Sequence, residues 1–223
     1  MNLTAGRWRA RLLPLAMAGA AFDLRARTFR GGRDDVDRFD AHARHLLIED
    51  GTLPVACARL TVQDAAGMAA GYTAQHYDLT AFAACFPRAL EVGRICLAPG
   101  SRDAEAGRLL LAMLARVVMA EDVAVLYGCS SFPSCGTGMA RLARHKAPET
   151  WGPGPKAANR TPLPMISGPL PPLLRSYLSL GAAVSDHAVV DDDLNTLHVF
   201  TALPIAAIPP ARARLLTGLL DAA

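Results

Sequence analysis

The stretch Ala89-Leu90-Glu91-Val92-Gly93-Arg94-Ile95-Cys96-Leu97 constrains the fold more than any other part of this 223-residue chain. It is a short apolar run with β-branched residues that stops at Pro99-Gly100, the pattern of a central strand. It nevertheless carries a carboxylate and a guanidinium three residues apart, and charges are buried in a strand only when they are paired or at work. In a regular strand positions 91 and 94 face opposite sides. Gly93 lies between them and permits a bulge that would bring both charges into one cleft. A structural ion pair and a working site are both open from this segment alone.

Length and composition narrow the classes around that strand. The length fits a single domain, residues 1–223, that can bury most of its apolar surface. With 52% hydrophobic and 19% charged residues the chain is globular rather than disordered. A net charge of +3 is too small to argue for nucleic acid, and fits an acidic protein partner or an anionic membrane surface. Five cysteines, odd in number and without a CxxC pair, favour a reduced cytoplasmic protein over a zinc site or a disulfide frame.

The segment 1–15 is basic and apolar. Arg7, Arg9 and Arg11 precede a run from Leu12 to Phe22 that imitates a secretory leader. The competing reading is a helix over 16–27, and a weak interfacial contact through this N-terminus is a third. No uninterrupted run of 18 apolar residues exists, so no spanning helix is expected.

Further along, a polar loop covers 30–40, and strands over 45–49 and 55–62 flank the turn Asp50-Gly51 as a hairpin. A short helix fits 78–86. Apolar residues at 109, 110, 113, 114, 117 and 118 form the stripe of an amphipathic helix over 102–119. A strand follows over 123–132, then a Pro- and Gly-rich excursion over 133–170. Pro171-Pro172 open a helix to 180, strands fit 183–190 and 196–203, and a short helix follows Pro209-Pro210. Strands outnumber helices and come partly in hairpins, which predicts an α+β fold with a mixed sheet.

The turn Pro99-Gly100-Ser101-Arg102 between strand and helix has the form of an anion-binding corner. A strand followed by Pro-x-x-Arg and a helix resembles the acyl-donor corner of the GNAT acyltransferase superfamily, in which a pantetheine thioester lies beside a splayed strand. Glu105 replaces a small residue of the usual coenzyme A loop, and a carboxylate there repels a pyrophosphate. The ordered set Arg25, Asp35-x-Asp37-x-x-Asp40, Arg59 and Glu91-x-x-Arg94 resembles the acyl-homoserine-lactone synthases. The chain as a whole is more similar to the ornithine–acyl-carrier-protein N-acyltransferases. The segments that carry this are Phe29-Arg30-Gly31-Gly32, Asp37-Arg38-Phe39-Asp40, His45-Leu46-Leu47, Glu91-Val92-Gly93-Arg94, Gly128-Cys129-Ser130-Ser131-Phe132, Pro171-Pro172-Leu173-Leu174-Arg175-Ser176-Tyr177-Leu178 and Asp186-His187-Ala188-Val189-Val190-Asp191. Arg44 and a shortened stretch after Phe132 depart from the family pattern.

The resemblance implies a GNAT-like, mostly antiparallel twisted sheet flanked by helices, with a splayed or bulged central strand. It implies an acyl group, (3-hydroxy)fatty, moving from acyl carrier protein to the α-amine of ornithine in the cytoplasm. No cofactor and no metal are implied beyond the carrier's own 4'-phosphopantetheine, and contact with the inner membrane is peripheral at most. Glu91 is the expected general base. Arg94 is expected on the substrate carboxylate or the carbonyl oxygen, because a tight pair with Glu91 would weaken the base. Arg59 suits the amino-acid carboxylate as a bidentate fork. Asp37 and Asp40 suit the terminal ammonium, Ser130 and Ser131 the oxyanion or pantetheine arm, and Arg102 and Cys96 the donor. His187 is expected as a hydrogen-bonded histidine that shapes the substrate site. Other readings stay open: glutamine as acceptor, a signal synthase that cyclises its acceptor, a non-catalytic lipid-binding module, covalent transfer through Cys129 with His187, and a metal on His45, His187 and Asp191. The basic clusters Arg141, Arg144, Lys146 and Arg212, Arg214 are candidate docking surfaces for an acidic carrier.

Overall fold

Alternation governs the folded N-terminus. Trp8, Ala10 and Leu12 are buried while Arg9 is exposed, and this two-residue period makes a hairpin that turns at Gly6, whose φ is +58°. The expected helix therefore starts later than 16. The computed structural model describes residues 1–98 and 104–221. Its elements, in chain order, are β1 (Asn2–Ala5), β2 (Trp8–Leu13), α1 (Gly19–Phe29), β3 (Arg44–Asp50), β4 (Leu53–Gln63), α2 (Ala65–Ala70), β5 (Tyr77–Asp78), α3 (Thr80–Cys85) and β6 (Ala89–Leu97). There follow α4 (Ala104–Glu121), β7 (Val125–Pro133), β8 (Gly154–Pro155), β9 (Arg160–Pro162), α5 (Pro172–Ser179), β10 (Ala183–Val184), β11 (His187–Asp191), β12 (Thr196–Pro204) and α6 (Pro210–Asp221). They divide between two compact units, one of residues 1–62, 92–122 and 210 onward, the other of 63–91 and 123–209.

In the first unit β1, β2, β3 and β4 are neighbours in antiparallel order. The Ala98 N–H donates to the Val55 carbonyl, tying the end of β6 beside β4. Leu24 and Ala21 of α1 pack on Leu13, Leu47, Cys57 and Cys96. The stripe expected on α4 is buried, with Leu109, Leu110, Met113, Leu114 and Val117 against β2 and β3. Each such side chain contributes roughly 1.5–3 kcal/mol by leaving water.

In the second unit the order is β6-β7-β12-β11-β9, and β10 also pairs with β12. The β6–β7 ladder is parallel over Ala89↔Val125, Leu90↔Leu126 and Glu91↔Tyr127, and the other named ladders are antiparallel. Phe82 of α3 covers this face among Tyr77, Tyr127 and Phe200, meeting the Phe200 ring edge-on at 5.2 Å. The strand expected over 183–190 is broken, because Ser185 turns to donate its hydroxyl to the His187 carbonyl and its N–H to the Phe200 carbonyl. The helix α2 was not expected. It is six residues long and starts where the Asp64 carboxylate accepts the Gly67 N–H. No helix among the described residues is long and apolar enough to cross a membrane.

Candidate active site

In the second unit, the register places Glu91 opposite Tyr127, and Cys129 and Ser131 follow on the same face of β7. Glu91 is buried, 7% exposed. Its Oε1 accepts the Thr73 N–H at 2.7 Å, and its Oε2 accepts Gln63 Nε2 and the Tyr72 N–H, each at 3.3 Å. Gln63 is held in turn by the Tyr127 hydroxyl. Burial, with the charge of Glu91 next, raises the Tyr127 phenol well above its ordinary value, so it remains a donor. A carboxylate offers about four lone-pair sites, and three are filled here; one remains for a water or an amine.

The cradle depends on Gly71. A Cβ at that position would lie 2.8 Å from Gln63 Nε2 and 3.0 Å from Glu91 Oε2. Gly71→Ala therefore displaces the carboxylate. We expect turnover at this site to fall by about 10-fold or more with the secondary structure retained, since small misplacements of a reacting group cost on the order of 10²-fold. Circular dichroism beside an activity assay checks it, and full activity would show that the position of Glu91 is not limiting.

In the first unit, four guanidiniums surround three carboxylates. Arg25 is buried and donates to Asp35 Oδ2 (2.9 Å), to both oxygens of Asp40 (2.7 and 3.1 Å) and to the Asp35 carbonyl (2.6 Å). Arg30 donates to Asp35 Oδ1 at 3.0 Å. Arg59 donates to Asp37 at 2.6 Å and Asp40 at 3.4 Å. Arg94 donates to Asp35 at 3.0 Å and Asp37 at 3.4 Å. A capping box joins Asp37 and Asp40 at the turn Arg38–His42, with Asp37 Oδ1 accepting the Phe39 N–H and Asp40 Oδ2 the Asp37 N–H. Burial alone would raise the Asp40 carboxyl. The hydrogen bonds from Arg25 and the Asp37 N–H, with the charges of Arg25 and Arg59, outweigh it and hold the group below 3.8.

These positions revise several expectations. The left-handed residue of β6 is Arg94, with φ +50°, and not Gly93. That conformation costs a non-glycine residue about 1–2 kcal/mol, and the Asp35 and Asp37 pairs hold the side chain in place. Asp40 is fully buried with both oxygens occupied, so it organises the cluster instead of meeting a substrate ammonium, while the Asp37 side chain keeps 25% exposure. Ser130 and Ser131 face opposite sides of β7, and Ser130 accepts from Thr201 on the side away from Glu91. Cys96 is 5% exposed in the α1 core with its sulfur 3.3 Å from that of Cys57, which makes it a packing residue in place of a donor contact. Arg102 lies outside the described residues. His187 Nδ1 is 2.7 Å from Asp186 Oδ1, and the Cys129 sulfur approaches Thr73 Oγ1 at 3.9 Å. The groups that hold Glu91 escaped the sequence: Tyr72 and Thr73 contribute backbone N–H groups, which no side-chain pattern reports, and Gly71 was the single available signal.

A mixed sheet whose central strand presents a held carboxylate defines the class, a GNAT-fold acyltransferase. A family model described as an acetyltransferase (GNAT) domain matches residues 22–112. The N-acyl amino acid synthase FeeM from uncultured soil microbes shares the fold with a TM-score of 0.55 at 14% identity, over 91% of this chain and 94% of its own. The acyl-homoserine lactone synthase BjaI does so with a TM-score of 0.55 at 13% identity, over 95% and 89%. The L-ornithine N(alpha)-acyltransferase of Brucella abortus is 32% identical over 202 residues, 78% of this chain and 71% of its own. That of Rhodobacter capsulatus is 32% identical over 200 residues, 79% and 76%. The chain belongs to the L-ornithine N(alpha)-acyltransferase family.

Proposed function

We propose that this acyltransferase moves a 3-hydroxylated fatty acyl group from an acyl carrier protein to the α-amine of ornithine, giving a lyso-ornithine lipid. Membership of a family whose relatives carry that name is the observation that carries the reading. Transfer is direct. The neutral amine nitrogen attacks the thioester carbonyl carbon, the carbon–sulfur bond breaks, and an amide and the carrier's free thiol result. Glu91 takes the proton that the amine must lose, at its one unfilled lone-pair site or through a water held there. In the arginine–aspartate cluster, four cations against three anions leave a net positive charge suited to an amino-acid carboxylate, with Arg94 and Arg59 as its donors. Asp37, the most exposed of the three carboxylates, suits the terminal ammonium.

On this reading the protein needs no cofactor of its own, since the carrier brings the 4'-phosphopantetheine. The carrier docks on exposed Arg141, Arg144 and Lys146, which stand close together on one short stretch of the second unit. The enzyme works in the cytoplasm and touches the inner membrane through Leu15 and Met17, 41% and 62% exposed, near the exposed Arg7 and Arg9 in sequence. The decisive experiment supplies purified protein with 3-hydroxyacyl carrier protein and single amino acids, with products read by mass spectrometry. Acylated ornithine is expected. A product on glutamine alone reassigns the acceptor, and no acylated product with any amino acid overturns the reading.

A further inference from the structure

Two buried imidazole nitrogens in the second unit lack any hydrogen-bond partner among the described residues: Nε2 of His187 and Nε2 of His198. An orphaned buried polar atom costs about 1–3 kcal/mol, and native proteins carry few of them without a reason. The two are neighbours. Val189 lies opposite His198, so His187, two residues before Val189, shares that face of the sheet with His198. Both rings lie against Tyr77, with centroids 5.2 and 5.8 Å away. Cross-strand register sets His198 opposite Ser131, so this is also the face that carries Tyr127, and Glu91 opposite it.

The hydrogen bonds of Tyr77 fix how His198 is protonated. The Tyr77 hydroxyl donates to the His198 carbonyl at 2.9 Å, and its oxygen lies 3.4 Å from His198 Nδ1. Having spent its proton on the carbonyl, that oxygen can only accept from Nδ1, which therefore carries the ring's hydrogen. Burial, with His76 next, pushes the His198 imidazole down to about 3, so the ring is neutral and Nε2 is a bare acceptor. His187 points its Nδ1 at the Asp186 carboxylate, which makes Nδ1 a donor and leaves Nε2 turned inward. Tyr77, which both rings lie against, belongs to an apolar cluster with Phe82, Val189 and Phe200, and the His76 ring stands 4.6 Å from that of His198.

We propose that His198, seconded by His187, reads a hydroxyl group on the acyl chain, and so selects hydroxylated over unsubstituted acyl donors. The chemistry required is a single small polar group carried on a hydrocarbon chain: the chain suits the apolar surroundings, and the hydroxyl donates to His198 Nε2. A cation would lose its water beside these buried rings, and a bare alkyl chain would leave the nitrogen unsatisfied. This inference rests on the acyl-transfer reading above. Sites built to bind a hydroxyl reject the analogue without one strongly, because their polar atoms are then left unpaired.

The test compares kcat/KM for two carrier-bound donors of equal chain length, 3-hydroxyacyl and unsubstituted, with ornithine as acceptor. Wild-type protein is expected to prefer the hydroxylated donor on the order of 10²-fold or more. His198→Phe, whose ring suits the aromatic surroundings, is expected to cut the preference below about 10-fold, and His187→Leu to reduce it less. His198→Gln, which keeps a hydrogen-bonding end, is expected to retain more of the preference than His198→Phe. Transfer without a wild-type preference overturns the inference and leaves the transfer reading standing. A preference that survives in both His198→Phe and His187→Leu overturns it too, and assigns the nitrogens to trapped water. Should His198→Phe fail to fold, the wild-type ratio and the His198→Gln and His187→Leu ratios decide in the same way. Absence of product from either donor sinks both readings together.

Discussion

Glu91→Gln is expected to lower kcat/KM for acyl transfer by about 10²–10⁴-fold, the range for losing a general base, while the protein stays folded. The substitution keeps the shape and removes the charge. It also replaces one acceptor oxygen by an NH2 group inside a cradle of donors. An amide that keeps its oxygen toward the Thr73 N–H turns its NH2 toward Gln63 Nε2 and the Tyr72 N–H, donor against donor. The local cost is about 1–3 kcal/mol for groups left without a partner. Activity and melting temperature measured together separate the effects: a large kinetic loss with a modest shift in melting supports the base, and full activity removes the role from Glu91.

The largest effect on stability is expected from Arg25→Met. The Asp35 and Asp40 side chains are each 1% exposed, and Arg25 bonds to both. Breaking a buried pair by removing one partner typically costs 3–5 kcal/mol, because the remaining charge has neither water nor a counter-ion. Asp35 keeps Arg30 and Arg94, and Asp40 keeps Arg59 and the Asp37 N–H, which puts the expected loss near the low end, about 3 kcal/mol. For a chain of this length that is a fall of roughly 6–12 °C in thermal midpoint, readable by circular dichroism. Asp40 adds a pH signature. Its folded pKa is depressed below 3.8, so its contribution to stability is complete above that value and is lost as pH falls through the lower folded value. Without Arg25 the depression shrinks and acid unfolding should begin at higher pH. An unchanged acid midpoint would mean that Arg25 does not set the Asp40 ionisation.

Elements with a strong local period were legible in the chain itself. The α4 stripe, the β3–β4 hairpin and β6 answer to residues within a few positions of one another, because burial of one face imposes the period directly. The hairpin β1–β2 had its alternation too, but three arginines ahead of an apolar run made the same letters resemble a leader. The hairpin is held by pairing with β3, Leu12 opposite Leu46 and Ala10 opposite Ile48, a contact that no local window contains. The bulge was expected at Gly93 because glycine tolerates any backbone. The left-handed residue is Arg94, whose side chain has two carboxylates to hold it.

By itself, the sequence determined the kind of fold and the set of charges: a central strand bearing Glu91 and Arg94, acidic residues at 35, 37 and 40, and arginines at 25 and 59. The tertiary structure alone decided what each charge does. Asp40 became a buried partner of Arg25, Asp37 kept an exposed edge, and Glu91 was fixed by the backbone of Tyr72 and Thr73. The reason is physical. A charge takes its role from the donors, acceptors and water around it, and most of those here come from residues 10 to 59 positions away in the chain.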